Sequence, residues 1–110
     1  MNPDIQKLLI LVHTHYSRRH NVAFYAAELG MHPRRLNKIC RAELGITAKK
    51  IIIGKIMERA KALLATQQAA DVARVLGFTG TSYFYRFFKR YAGVSVRSFT
   101  RIPPRSQRNT

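Results

Sequence analysis

LGFTGTSYFYRFFKRYAGVSVRSF, residues 76–99, carries two contrasting faces at helical spacing. Phe84, Phe87, Phe88 and Tyr91 stand at i, i+3, i+4 and i+7, which makes one apolar face. Ser82, Tyr85, Arg86 and Lys89 repeat that spacing on the other side. The pattern predicts a helix over about 81–92, ended by Gly93. Its aromatic back can seat on a small core. Its front of hydroxyls and cations suits a groove lined with acceptors and flanked by phosphates. A plain surface helix with solvated charges has two faces as well, so the rest of the chain has to separate the two readings.

Upstream, Ala69 to Leu76 is a short predicted helix with Asp71 in its first turn, closed by Gly77. Downstream, Ser95 caps a last helix to about Arg101, and residues 102–110, with Pro103 and Pro104, are expected to be a flexible basic tail. The first half of the chain begins with Asn2-Pro3-Asp4, a helix start, and a stripe of Ile5, Leu8, Leu9, Val12 and Tyr16 predicts a helix over about 4–17. After a polar break at 17–21, a short helix from Val22 or Ala23 to Leu29 stops at Gly30. Pro33 opens the next helix where its missing N–H costs nothing, with His32 as cap. Leu36, Ile39, Cys40 and Leu44 form the inner face of that helix, and Gly45 ends it. Helix, tight turn, helix is a helix-turn-helix pattern. Thr47 then caps a longer helix over about 48–65. Three consecutive isoleucines and Gly54 argue locally against it, but Ile53, Ile56, Met57, Ala60, Leu63 and Leu64 keep the helical period.

The chain also repeats itself. Shifted by 47 residues, Ala26, Leu29 and Gly30 fall on Ala73, Leu76 and Gly77. Shifted by 48, Leu36, Cys40, Arg41, Gly45, Ile46 and Thr47 fall on Phe84, Phe88, Lys89, Gly93, Val94 and Ser95. Two helix-turn-helix copies joined by the 48–65 helix produce this offset. The outward face of the first copy is Arg34, Asn37, Lys38 and Arg41, and that of the second is Ser82, Tyr85, Arg86 and Lys89. Two unrelated solvated helices would not share such a face, and the repeat favours nucleic-acid binding.

Composition points the same way. Twenty Lys and Arg oppose five acids in 110 residues, a net charge of +15, and no acid follows Asp71. The partner is therefore anionic: nucleic acid, a lipid surface or an acidic protein. A single cysteine, Cys40, excludes an internal disulfide and a cysteine zinc cluster, and its inner-face position marks it as a buried thiol and not a nucleophile. His13, His15 and His20 have no carboxylate or thiol grouped with them, so no metal is expected. No phosphate loop, paired carboxylates or triad suggests an enzyme, and no cofactor is implied. The N-terminal apolar run is too short to span a membrane. Lipid binding would explain the charge but not the repeated glycine turns. RNA binding more often uses stacking aromatics on a sheet, whereas most aromatics here lie on inner helix faces.

Two motifs make the sequence resemble the DNA-binding domain of the AraC/XylS family of bacterial transcription regulators. One is GF-x-x-x-SYF-x-x-x-FKRY-x-GVS, at Gly77, Phe78, Ser82, Tyr83, Phe84, Phe88, Lys89, Arg90, Tyr91, Gly93, Val94 and Ser95. The other is Glu58-Arg59-Ala60-Lys61-x-Leu63-Leu64 in the long helix, and the likeness covers about residues 22–101. It departs from the family pattern at Val96, Phe99-Thr100, Ile56, Cys40 and His32. The resemblance implies an all-α fold of about seven helices, with two helix-turn-helix subdomains and a connector helix. Their bounds are expected at 1–46, 47–65 and 66–101. It also implies sequence-specific binding of double-stranded DNA, with recognition helices in successive major grooves. Base-facing positions would then be Arg34, Asn37, Lys38 and Arg41, with Thr81, Ser82, Tyr85 and Arg86. Arg86 suits guanine and Asn37 adenine. Phosphate contacts would come from Lys49, Lys50, Lys89, Arg90 and Arg97. Expected partners are double-stranded DNA, RNA polymerase for an activator, and no membrane. The domain is expected to act as a monomer in the cytoplasm, on nucleoid DNA.

Overall fold

A computed structural model of the chain describes residues 2–101, and every regular element among them is an α-helix. In order these are α1 (Pro3–His15), α2 (Val22–Glu28), α3 (Pro33–Leu44), α4 (Ala48–Leu64), α5 (Ala69–Val75), α6 (Thr81–Ala92) and α7 (Val96–Arg101). Two compact units divide the chain within α4, the first ending at Ile56 and the second beginning at Met57. The all-α, seven-helix expectation holds. Residues 102–110, read as a basic tail, lie outside the described residues.

In the first unit α1, α2 and α3 pack against one another. Ile5, Leu8 and Val12 of α1 meet Tyr25, Ala26, Leu36 and Cys40 in a core closed by Ala48, Ile52 and Ile56 of α4. Each large side chain removed from water here contributes about 1.5–3 kcal/mol. Tyr25 is fully buried, and its hydroxyl donates to the Arg19 carbonyl at 2.6 Å, which pins the polar break to the core. The second unit packs α5 on α6 and α6 on α7 around Met57, Ala60, Leu64, Val72, Ala73, Leu76, Phe84, Phe88 and Val96. Phe78, in the turn before α6, touches the rings of Tyr83, Phe84 and Phe87 with centroids 5.6, 5.3 and 5.0 Å away.

The repeat extends to individual hydrogen bonds. At the end of α2, Met31 N–H donates to Ala26 C=O at 2.9 Å and Gly30 N–H to Ala27 C=O at 3.0 Å. At the end of α5, Phe78 N–H donates to Ala73 C=O at 2.9 Å and Gly77 N–H to Arg74 C=O at 3.1 Å. Both are Schellman turns, and both need the left-handed backbone of Gly30 (φ 69°) and Gly77 (φ 82°).

The stripes differ from expectation at their edges. Leu9, Leu44 and Tyr91 are exposed, because a helix sitting on a core this small buries a narrow seam. Tyr91 instead lies against Phe87, with Arg90 over its ring at 5.4 Å. In α4 the buried series is Ala48, Ile52, Ile56, Ala60 and Leu64, with Met57 beside it. Ile52 therefore takes the inner place expected of Ile53, which is half-buried like Leu63. Gly54 does not interrupt the helix. Helix α1 ends at His15, short of the expected 17, and residues 16–18 form a turn.

Candidate nucleic-acid interface

Helix α3 starts at the expected cap, His32, an unusual residue for that position. His32 is extended, and its Nδ1 accepts the Arg34 N–H at 3.1 Å, a bond usually supplied by Ser, Thr or Asp. With Pro33 behind it, the cap fixes the first turn and so places Arg34, Lys38 and Arg41 on the exposed side of the helix. Leu36 and Cys40 hold the opposite side in the core, where burial pushes the Cys40 thiol pKa up and keeps it protonated.

Asn37 behaves differently from its neighbours. It is half-buried, and its Oδ1 accepts the backbone N–H of Ala48, the first residue of α4, at 3.1 Å. Thr47 caps the same turn as expected, its Oγ1 accepting the Lys50 N–H at 3.2 Å. Lys49 and Lys50 project from that turn and are exposed.

In the second unit Ser82, Tyr85, Arg86, Lys89 and Arg90 are exposed along α6, and Thr81 is half-buried at its start. Phe84 and Phe88 are fully buried on the far side. Arg97 is exposed in the first turn of α7, behind a cap in which Ser95 Oγ accepts the Ser98 N–H at 3.0 Å. The aligned Thr47 and Ser95 thus do the same work, each bonding the amide three residues on.

Tyr85, Arg86 and Lys89 of α6 face Ser95, Val96, Arg97 and Thr100 of α7 across an open cleft of about 890 Å³. Its third wall is residues 64–69, which brings in Thr66, Gln67 and Gln68. The sequence reading missed these three, because an uncharged turn residue has neither a period nor a charge to mark it. The polar run between Leu64 and Ala69 was the available signal.

No acid lines the cleft. Among the described residues, Arg34, Lys38, Arg41, Lys49, Lys50, Arg86, Lys89 and Arg97 have no ion-pair partner. Asp71 is not available to them, since it pairs with Arg74 at 2.9 Å. Such a set of uncompensated cations is built for an anionic partner. No described His, Cys, Asp or Glu residues are grouped to hold a metal ion, and no described helix is long and apolar enough to cross a membrane.

Comparison with known proteins matches a helix-turn-helix domain family over residues 25–102. The arabinose operon regulatory protein of Salmonella typhimurium is 33% identical over 81 residues, covering 72% of this chain and 29% of that protein. The chain thus spans about three tenths of the length of the curated relatives it matches. Among solved structures, the C-terminal domain of AraT, a response regulator from Geobacillus stearothermophilus, superposes with a TM-score of 0.82 at 25% identity, over 91% of this chain and 85% of that one. The DNA-binding domain of AdpA, a global transcriptional factor solved with a target DNA, gives 0.76 at 22% identity over 91% of each chain, a likeness of fold. Seven helices, a doubled helix-turn-helix and a family match over most of its length agree, and the chain belongs to the AraC/XylS family as a helix-turn-helix DNA-binding domain.

Proposed function

We propose that the chain binds double-stranded DNA sequence-specifically and so controls transcription, with α3 and α6 entering successive major grooves. One observation carries this: two aligned helices each set an uncompensated cationic face against a buried back. Base edges are read by Arg34, Lys38 and Arg41 from α3, and by Thr81, Ser82, Tyr85 and Arg86 from α6. Arg86 is the bidentate reader of guanine. Lys49, Lys50, Lys89, Arg90 and Arg97 hold phosphates and set the register, and the cleft between α6 and α7 accepts one stretch of the backbone. The functional division follows the repeat, with reading subdomains at 1–46 and 66–101 and a connector at 47–65. We further propose that it acts as a monomer on nucleoid DNA in the cytoplasm, with RNA polymerase as a partner if it is an activator.

Neutralising roughly six to eight phosphates implies a log–log salt slope of about −5 to −7. Titration of duplex DNA at salt concentrations from about 50 to 200 mM measures it, and a flat response would sink the proposal. Arg86→Ala should cost about 1–3 kcal/mol on a site selected from random duplexes and relax one or two base pairs. Arg97→Ala should weaken all sequences alike.

A further inference from the structure

The two units repeat each other's caps, but at one place the match stops. Thr47 and Ser95 align, as do their partners Lys50 and Ser98, and Ile51 N–H to Thr47 C=O at 3.2 Å matches Phe99 N–H to Ser95 C=O at 2.9 Å. Asn37 aligns with Tyr85, and Ala48 with Val96. In the first unit Asn37 bonds the Ala48 amide; in the second Tyr85 is exposed and, among the described residues, no side chain takes the Val96 amide.

We propose that Asn37 is a positioning residue, which locks recognition helix α3 to the first turn of α4 and so keeps the base-reading side chains in register with the phosphate-binding lysines. The inference rests on the DNA-binding function proposed above and reassigns one residue within it. Helix α4 starts with amide groups that lack partners inside the helix. Thr47 satisfies that of Lys50, and the Ala48 amide, on a fully buried residue, would be costly to leave bare. Asn37 reaches it from a helix eleven residues away in sequence. The bond joins the turn that carries Lys49 and Lys50 to the middle of the face that carries Arg34, Lys38 and Arg41. It also engages Oδ1, the atom that a bidentate contact would turn toward the adenine amino group. Tyr85 has no carbonyl oxygen to offer, so the second unit reads DNA without this lock.

The test uses the full chain and a duplex site selected with it from a random pool. Asn37→Ala should speed hydrogen exchange of the Ala48 amide at least tenfold and relax together all the base positions read by the first unit, leaving those of the second unit sharp. Asn37→Asp keeps an acceptor in the same place. It should retain Ala48 protection and the selected motif, while its new negative charge weakens all duplexes uniformly. Replacing adenines of the site by 7-deazaadenine, which lacks N7, should leave the wild type and Asn37→Ala differing by the same factor as before.

The proposal falls if Asn37→Ala blurs a single adenine position with Ala48 exchange unchanged, since Asn37 is then a base reader. It also falls if the variant lowers thermal stability while the ratio of specific to non-specific affinity stays fixed, which marks a structural role alone. A wild-type chain that selects no motif overturns the DNA-binding function and this inference together. A sharp wild-type motif with either of the other results overturns the inference only.

Discussion

Tyr25 ties a loop to a core through one hydroxyl, and its chemistry makes that tie measurable. Burial pushes its pKa up to about 12, with the Arg19 charge pulling weakly the other way. An unfolded tyrosine releases its proton near pH 10. Between those values the unfolded chain binds fewer protons than the folded one, so stability falls as pH rises. The contribution is whole below about pH 10 and lost as pH climbs through about 12. Tyr25→Phe should cost about 1 kcal/mol at pH 8, where the Arg19 carbonyl loses its donor. The gap to the wild type should narrow as pH rises above about 10 and close before about 12 is reached, in urea unfolding series run at each pH. Parallel curves would mean that the hydroxyl does not titrate in the way its burial demands. At this scale the sequence was only partly legible. Periodicity placed Leu36, Cys40, Phe84 and Phe88 inside, as observed. It could not distinguish Asn37 from Lys38 as a candidate reader, because both are polar residues on one helical turn. Only the position of Ala48, fixed by long-range packing, reveals which side chain is already engaged.

Elements were easier to read than residues, because helix ends are written in local chemistry. Asn2 and Pro3 mark the start of α1, Asn21 that of α2 and Pro33 that of α3, glycine marks the ends of α2 and α3, and the observed ends use them. The edges of the apolar stripes were harder, since the width of a buried seam depends on the partner it meets, as Leu9 and Tyr91 illustrate. Two glycines give opposite predictions from the same substitution. Gly93 ends α6 with φ at 80°, a conformation that a side chain resists, so Gly93→Ala should destabilise the second unit by about 1–2 kcal/mol. Gly54 sits inside α4 with open space around it, so Gly54→Ala should stabilise by about 0.5–1 kcal/mol. Each change corresponds to a shift of several degrees in thermal unfolding. If Gly54→Ala lowered Tm, α4 would have to need a bend that an alanine helix resists, and its continuity would lose its meaning for the two-groove proposal.

For the whole molecule, the doubled unit is the feature from which the largest consequence follows. The offset of 47 or 48 residues was visible without coordinates, because turn glycines and core positions repeat even where identities differ. The two faces proposed to read DNA are unlike: Arg34, Lys38 and Arg41 make the first more cationic, while Ser82 and Tyr85 make the second more hydroxylic. Unlike faces should select unlike half-sites, so the preferred site should not be a palindrome and one chain should occupy it. Helix α4 has 17 residues, and at a rise of 1.5 Å each it extends roughly 25 Å. One turn of B-DNA is about 34 Å, the spacing that the proposed reading of successive major grooves requires. Half-sites about 10 bp apart therefore suit one chain, and 5 more base pairs would rotate one of them to the far side of the duplex. Affinity should then collapse toward that of a single unit, and another 5 should restore the facing but not the reach. Complex mass measured beside affinity for insertions of about 0, 5 and 10 bp decides between the alternatives. Indifference to the 5 bp insertion, or a 2:1 complex on a palindrome, would end the monomeric two-groove proposal. DNA binding itself would survive either result, because the salt slope depends on the number of phosphates neutralised and not on where the grooves lie.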